Sequence, residues 1–194
     1  MGIMRQTEKP PAPESGRIES TFPLPGGYPF EDGLSRAEYL ETAAAAKLQL
    51  RRYDEKPDTE ILAFFRGLTL PRKVAILCMP RCNDCAWAVP YITRLIDESP
   101  ALEARIFPRD HFPELMDSLL TNGKRSVPKV GVFDSEMKLV GSWGPRPAPI
   151  QQYVENSVGR LDPPEWKAEV LRYYREDGLS DLYAELKELF RENE

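Results

Sequence analysis

All three cysteines of the chain lie within eight residues of one another. Cys82 and Cys85 form a Cys-x-x-Cys motif that directly follows an apolar run and opens a stretch with helical periodicity. A helix N-terminus presents free N–H groups and the positive end of its dipole, and both favour a thiolate. Since the thiolate is the attacking species, we predict that Cys82 attacks a disulfide. Cys85 lies one helical turn further on, and we predict that it is more buried and resolves the mixed disulfide.

Two charged residues flank this motif and act in opposite directions. Arg81 adds positive charge next to Cys82, whereas Asp84 adds negative charge inside the motif. The net shift in the pKa of Cys82 therefore stays open, and Asp84 is a possible auxiliary residue of the site.

The third thiol, Cys78, has several interpretations. It is either a small core residue at the end of the apolar run or a thiol that traps or relays oxidation from Cys82. The spacing Cys-x3-Cys-x2-Cys also occurs in radical-SAM enzymes, which hold an iron–sulfur cluster on three thiolates. Only 109 residues follow Cys85, with a hairpin instead of repeated βα units, which argues against that fold. A zinc site with His111 is formally possible, but the favoured prediction is that the protein binds no metal or other cofactor.

Composition excludes several other classes of protein. The chain has 194 residues and a net charge of −5, which argues against a nucleic-acid partner because such partners need a basic surface. The run at 74–79 is the longest apolar run in the middle of the chain and is far shorter than the ~18 residues of a membrane span. The first fifteen residues contain no apolar segment typical of a secretory signal, so we predict a cytoplasmic location.

Hydrophobic patterning predicts an α/β core with the order βαβαββα and no internal repeat. Its predicted strands span 73–79, 102–107, 127–133 and 138–143. Its predicted helices span 82–99, 113–120 and 148–158. We expect Pro90 to kink the first of these helices, and Asn122-Gly123 to cap the end of the second.

The remainder of the chain divides into three appendages around this core domain, which we place at 71–160. Residues 1–30 hold six prolines and are predicted to be a flexible arm. Residues 31–70 form a helical prefix, with one helix at 35–53 and a second one opening at Pro57-Asp58. Residues 161–194 form a C-terminal extension of two amphipathic helices, at 164–176 and 179–192.

From Arg72 to Val158 the chain resembles the thioredoxin superfamily. The resemblance rests on the Cys-x-x-Cys after a strand, on Pro90 five residues past the second cysteine, and on Ser126-Val127-Pro128 before a strand. It implies a thioredoxin fold, with a mixed sheet flanked by helices, in which Pro128 is cis and its loop lies beside Cys82. Val127 would then offer backbone hydrogen bonds to an extended peptide. We assign Val127, Pro128 and Arg81 to the substrate-binding surface.

The chain more closely resembles a subgroup of short bacterial thioredoxin-family proteins with helical extensions at both ends. The similar segments are 105–107, Asp110, 113–117, 120–123, 125–128 and the Trp-Gly-Pro-Arg-Pro stretch at 143–147. That stretch is predicted to be a rigid corner between strand and helix, or a rim that presents Arg146 to a partner. Unlike thioredoxin itself, the chain has Asn83-Asp84 between the cysteines and Ile76 where thioredoxin keeps a buried aspartate. Cys85 must then lose its proton by another route, with Asp84, water or an acidic residue of the prefix as candidates.

The predicted function is therefore that of a thiol-disulfide oxidoreductase. Its partners would be a protein or small-molecule disulfide and a reductant, with the oligomeric state left open. One alternative is a non-catalytic thioredoxin-like module that binds partners through its helical ends. A second alternative is a metal or iron–sulfur protein that uses Cys78, Cys82 and Cys85.

Overall fold

A four-stranded mixed sheet forms the centre of the computed structural model, which describes residues 23–191. The strands are β1 (Arg72–Cys78), β2 (Leu102–Pro108), β3 (Lys129–Phe133) and β4 (Leu139–Trp143). Their order across the sheet is β2-β1-β3-β4. β1 pairs with β2 in parallel and with β3 antiparallel, and β3 and β4 form an antiparallel hairpin. The predicted βαβαββα core with helices at both ends is confirmed.

Eight α-helices surround the sheet in the part of the chain that the structure describes. Three precede it, namely α1 (Arg36–Thr42), α2 (Ala46–Asp54) and α3 (Thr59–Arg66). Three belong to the core, namely α4 (Asn83–Asp97), α5 (Pro113–Asp117) and α6 (Ala148–Ser157). Two follow it, namely α7 (Pro163–Glu176) and α8 (Gly178–Phe190). α4 packs against α2 and β2, while α8 packs against β4 and α3. None of the helices within 23–191 is long and apolar enough to cross a membrane.

The predicted single helix at 35–53 is wrong, because the chain leaves the helical conformation at Ala43. Ala43 has extended backbone angles and is buried, and the following N–H, of Ala44, donates to the carbonyl of Pro80 at 3.2 Å. This hydrogen bond ties the break between α1 and α2 to the loop after β1. A tertiary contact thus overrides the good helix propensity of an alanine-rich stretch.

Two further expectations differ from the structure. The predicted arm at 1–30 extends too far, because Leu24 and Phe30 are buried in the core, while residues 1–22 lie outside the described residues. Asn122-Gly123 does not cap a helix. Both residues have positive φ, and Thr121 and Lys124 exchange two backbone hydrogen bonds across them. That geometry is a tight reverse turn of the kind that an Asn-Gly pair favours.

Candidate functional site

The loop after β1 brings Cys82 to the start of α4. β1 is buried from Val74 to Cys78, and its end is followed by a turn in which the N–H of Cys82 donates to the Met79 carbonyl at 3.2 Å. Cys82 is the N-cap residue of α4, and its Sγ accepts a hydrogen bond from the backbone N–H of Cys85 at 3.4 Å. A thiolate can therefore occupy the place that a hydroxyl or carboxylate usually takes at a helix N-terminus.

These contacts make Cys82 an acidic thiol. A hydrogen bond from the Cys85 thiol lowers the pKa of Cys82 from 9.0 to about 7, with help from the backbone N–H groups of Cys85 and Asp84. Burial and the charge of Asp84 act in the opposite direction but are outweighed. Arg81 is exposed and is not among the leading causes of this shift. About half of the Cys82 side chains are thus thiolates at neutral pH.

Cys85 is fully buried, in contrast to its partially exposed neighbour in the motif. Burial raises the pKa of Cys85 well above its ordinary value, and hydrogen bonds with the thiols of Cys78 and Cys82 raise it further. Cys85 is therefore a protonated thiol in the reduced protein at neutral pH. Cys82 is thus the more acidic and more exposed thiol of the motif, and Cys85 is the less acidic and buried one.

Cys78 is also fully buried and completes a cluster of three thiols with Cys85 in the middle. The hydroxyl of Tyr39, on α1, lies 2.9 Å from the Sγ of Cys78 in a hydrogen bond. Tyr39 is itself buried, and burial together with Cys78 raises its pKa. The helical prefix therefore supplies a polar group to the thiol cluster, which the sequence pattern did not indicate.

The loop before β3 lies against the exposed side of the cluster. The peptide bond between Val127 and Pro128 is cis, and the Sγ of Cys82 lies 3.6 Å from the carbonyl oxygen of Val127. When protonated, the Cys82 thiol donates to this carbonyl. A second cis peptide, between Gly144 and Pro145, was not expected from the sequence. Gly144 has a φ of +109°, and a Cβ there would lie 2.3 Å from the Pro128 carbonyl oxygen, so the two proline loops approach each other more closely than a side chain allows.

Asp84 does not face the buried thiols as a free base. One of its carboxylate oxygens accepts from Arg146 at 2.5 Å, and the other accepts from the hydroxyl of Tyr174 at 2.6 Å. The Arg146 and Asp84 side chains are 15% and 14% exposed, so the idea that Arg146 is presented to a partner is wrong. Because both oxygens are occupied, Asp84 is poorly placed to accept the Cys85 proton.

The C-terminal extension covers this side of α4. The Tyr174 ring stacks on the Trp87 ring at 4.0 Å between centroids and 7° between planes. Tyr174 thus joins α7 both to the indole on α4 and to the carboxylate inside the Cys-x-x-Cys motif. Its role was missed because no local sequence signal links residues that are 90 positions apart.

Pro90 lies inside α4 and leaves one carbonyl without its usual helical donor. A proline has no N–H, so the carbonyl four residues earlier, that of Ala86, loses its partner. Arg52 of α2 replaces it, with Nη1 donating to the Ala86 oxygen at 2.6 Å. The helical prefix therefore supports the helix that carries the two cysteines of the motif.

A cavity of about 370 Å³ has Cys78 among its lining residues. Its lining includes Met79 and Pro80 from the loop after β1, and Pro108 and His111 from the end of β2 and the turn after it. Within residues 23–191, no group of three or more histidine, cysteine, aspartate or glutamate side chains is arranged to hold a metal ion. The spacing-based zinc and iron–sulfur alternatives therefore receive no support from this geometry.

Comparisons with known proteins agree with the architecture. A family model described as Thioredoxin matches residues 33–160. A 1.5 Å crystal structure of a protein of unknown function from Pseudomonas aeruginosa is similar with a TM-score of 0.61 and 14% identity, over 82% of this chain and 93% of that one. The crystal structure of an HIV epitope scaffold is similar to the same extent, with a TM-score of 0.61, 14% identity and coverage of 82% and 93%. Both similarities concern the fold alone.

A protein disulfide oxidoreductase from Aeropyrum pernix K1 has a TM-score of 0.41 and 20% identity, over 62% of this chain and 55% of that one. No curated protein sequence matches the chain.

Proposed function

The chain belongs to the thioredoxin family, and from this premise we propose that it is a thiol-disulfide oxidoreductase. The thiolate of Cys82 attacks a substrate disulfide, forms a mixed disulfide with one sulfur and releases the other as a thiolate. Cys85 then attacks the Sγ of Cys82 as its thiol proton passes to the departing substrate sulfur, which releases the second substrate thiol and leaves a Cys82–Cys85 disulfide. Two electrons pass to the substrate, and an external reductant returns them.

The observation that carries this proposal is the contrast between the two thiols. Cys82 is partially exposed with a pKa lowered to about 7, whereas Cys85 is fully buried with a pKa raised well above its ordinary value. A thiol attacks fastest when its pKa lies near the ambient pH, so Cys82 suits the role of nucleophile in a neutral compartment. A buried thiol in contact with Cys82 suits resolution, because substrate cannot reach it first.

The substrate is proposed to bind along the loop that carries Val127 and the cis-proline Pro128. The Val127 carbonyl lies 3.6 Å from the Cys82 sulfur, so a peptide that reaches this carbonyl also reaches the nucleophile. An extended segment can pair with such a backbone group as an added strand does. The exposed Arg81 next to Cys82 would contact a substrate or the reductant at the rim.

Further parts of the proposal concern the setting of the protein. We propose a cytoplasmic location, because the reductants there keep cysteines reduced and would recharge the Cys82–Cys85 pair. We also propose that the chain is one of the short bacterial members of the family with helical extensions and a Trp-Gly-Pro-Arg-Pro segment. In this setting the substrate is a protein or small-molecule disulfide.

The first test is a count of free thiols on the purified protein across dithiothreitol redox buffers. Two thiols should disappear together at one potential, and mass mapping should place the bond between Cys82 and Cys85. Three thiols that remain free across the series would contradict catalysis and favour a non-catalytic binding module.

The second test traps partners in cells. A Cys85→Ser variant lacks the resolving thiol, so it should accumulate mixed disulfides through Cys82. The matched control is Cys82→Ser, which should trap none. An absence of mixed disulfides with the folded Cys85→Ser variant would count against the enzyme, whereas partners held non-covalently by both variants would support the binding module.

A further inference from the structure

Cys78 touches the resolving thiol but has no part in the reaction described above. It is fully buried at the last position of β1, it interacts with the thiol of Cys85, whose pKa it raises, and it hydrogen-bonds with the hydroxyl of Tyr39. Cys85 lies in the first turn of α4 and interacts with the thiols on both sides of it. The middle sulfur of this cluster can therefore bond to either neighbour.

We propose that Cys78 is a third redox thiol, which exchanges with the Cys82–Cys85 disulfide to form a buried Cys78–Cys85 disulfide. The inference rests on the proposed function, because the first disulfide must come from a substrate disulfide. The product is an oxidised protein in which the nucleophile, Cys82, is again a free thiolate.

The exchange is balanced within the protein and needs no further oxidant. The sulfur of Cys78 attacks the sulfur of Cys85, the Cys82–Cys85 bond breaks, and Cys82 leaves with the electron pair as a thiolate. The proton of the Cys78 thiol passes to solvent. The number of disulfides stays at one, and the protein gains and loses no electrons in this step.

The surroundings of the two outer thiols favour this direction. Cys82 is a suitable leaving group, because its thiolate lies at the N-terminus of α4, where free backbone N–H groups and the helix dipole stabilise negative charge. As a thiolate it keeps the hydrogen bond from the backbone N–H of Cys85, which lies 3.4 Å from its sulfur. Tyr39 contacts Cys78 at 2.9 Å and can donate a hydrogen bond that orients its sulfur and stabilises the thiolate as the proton leaves.

The consequence of the exchange is that the disulfide of the oxidised protein moves from a partially exposed position to a buried one. A disulfide between Cys82 and Cys85 has one partially exposed sulfur, which a reductant can attack. A disulfide between Cys78 and Cys85 has both sulfurs at 0% exposure. The exchange would thus hide the disulfide from a bulky reductant while the surface nucleophile is regenerated.

The test is a disulfide map of the full-length oxidised protein. Protein with one disulfide is equilibrated at about pH 6 and about pH 8, quenched with acid to stop exchange, and alkylated in denaturant. Cys82 should carry the label in a measurable fraction of the molecules that have one disulfide. Because Cys82 leaves as a thiolate, the ratio of Cys78–Cys85 to Cys82–Cys85 should rise with pH. The rise between the two pH values should be up to about twofold, since Cys85 in this disulfide no longer donates the thiol hydrogen bond that most lowers the pKa of Cys82.

Two variants control this map. Cys78→Ser should give only the Cys82–Cys85 disulfide, and Cys78→Ala replaces it if serine disturbs the fold. Tyr39→Phe keeps all three cysteines and should shift the ratio between the two disulfides without abolishing the first one.

The outcomes separate the two proposals. Label on Cys78 in every oxidised wild-type molecule at both pH values would overturn the exchange and leave the oxidoreductase intact. If neither the wild type nor the Cys78 variants form a Cys82–Cys85 disulfide, the proposed function itself fails. A Cys78–Cys85 disulfide that appears in the wild type and increases with pH supports both.

Discussion

Replacement of Cys85 by alanine is expected to raise the pKa of Cys82, whereas replacement by serine should leave it near 7. The hydrogen bond from the Cys85 side chain is the largest cause that lowers this pKa. Serine keeps an O–H donor at the same position, and alanine removes it. The backbone N–H of residue 85 lies 3.4 Å from the Cys82 sulfur and is present in both variants. Its effect on the pKa of Cys82 is therefore the same in the two proteins.

The size of the effect follows from the strength of the lost contact. A hydrogen bond to a charged group contributes about 1.5–3 kcal/mol, which corresponds to about one to two pKa units. The pKa of Cys82 in Cys85→Ala should therefore rise to about 8–9. The thiolate fraction at pH 7 would then fall about five- to fifty-fold. A thiolate of higher pKa is also a stronger nucleophile, so the reaction rate at pH 7 falls less than the thiolate fraction does. The midpoint of the pH titration of Cys82 is therefore a better readout than the rate.

The assay is the rate of alkylation by iodoacetamide as a function of pH, with thiolate ultraviolet absorbance as a second probe. Cys82 should be the fast-reacting thiol in all three proteins, because Cys78 and Cys85 are fully buried. Equal midpoints for Cys85→Ala and Cys85→Ser would refute the reasoning. The backbone N–H groups and the helix dipole would then be the cause of the low pKa.

Three further predictions concern stability, each read from chemical unfolding of the reduced protein. The folded state lowers the pKa of Cys82 from 9.0 to about 7, so ionisation of Cys82 stabilises the fold. This stabilisation is complete above pH 9 and is lost as the pH falls through 7. Cys82→Ser should remove this pH dependence of the free energy of unfolding. Arg52→Met leaves the Ala86 carbonyl unpaired and should lower the free energy of unfolding by about 1–3 kcal/mol. Arg52→Lys keeps a donor and should recover part of this loss. An unchanged free energy of unfolding in Arg52→Met would mean that water replaces the guanidinium. Gly144→Ala places a Cβ against a backbone oxygen, whereas the control Gly159→Ala has a positive φ but no such contact. Gly144→Ala should therefore lower the free energy of unfolding by about 1–3 kcal/mol more than Gly159→Ala does. Equal losses in the two variants would contradict the close approach.

Much of the site could be predicted because its first elements are local. The apolar run of β1, the turn and the periodic stretch of α4 together place Cys82 at a helix N-terminus, and each depends on neighbouring residues only. The antiparallel pairing of β3 with β4 follows from the short connection between these two strands. Pro128 could be placed near the motif only through the resemblance to the thioredoxin superfamily, and in the structure the strand that follows it pairs with β1.

Two of the failures share one physical cause, which is contact between distant parts of the chain. The helix break at Ala43 depends on a hydrogen bond to Pro80, and the inward position of Arg146 depends on Asp84. Periodicity and propensity describe one segment at a time, so they cannot register a partner 36 positions away, as between Ala44 and Pro80, or 62 positions away, as between Asp84 and Arg146. Asn122-Gly123 failed for another reason, since the same pair is favourable both after a helix and in a tight turn.

The sequence by itself determined which atoms can react, because spacing within one strand, turn and helix decides that Cys82 meets the free N–H groups of α4. Only the tertiary structure decided how acidic and how accessible each thiol is. Burial of Cys78 and Cys85, the ion pair of Asp84 with Arg146, and the hydroxyl of Tyr39 beside Cys78 all come from packing between elements. Acidity depends on desolvation and on charges within a few ångströms, and the fold brings those neighbours together from far along the chain.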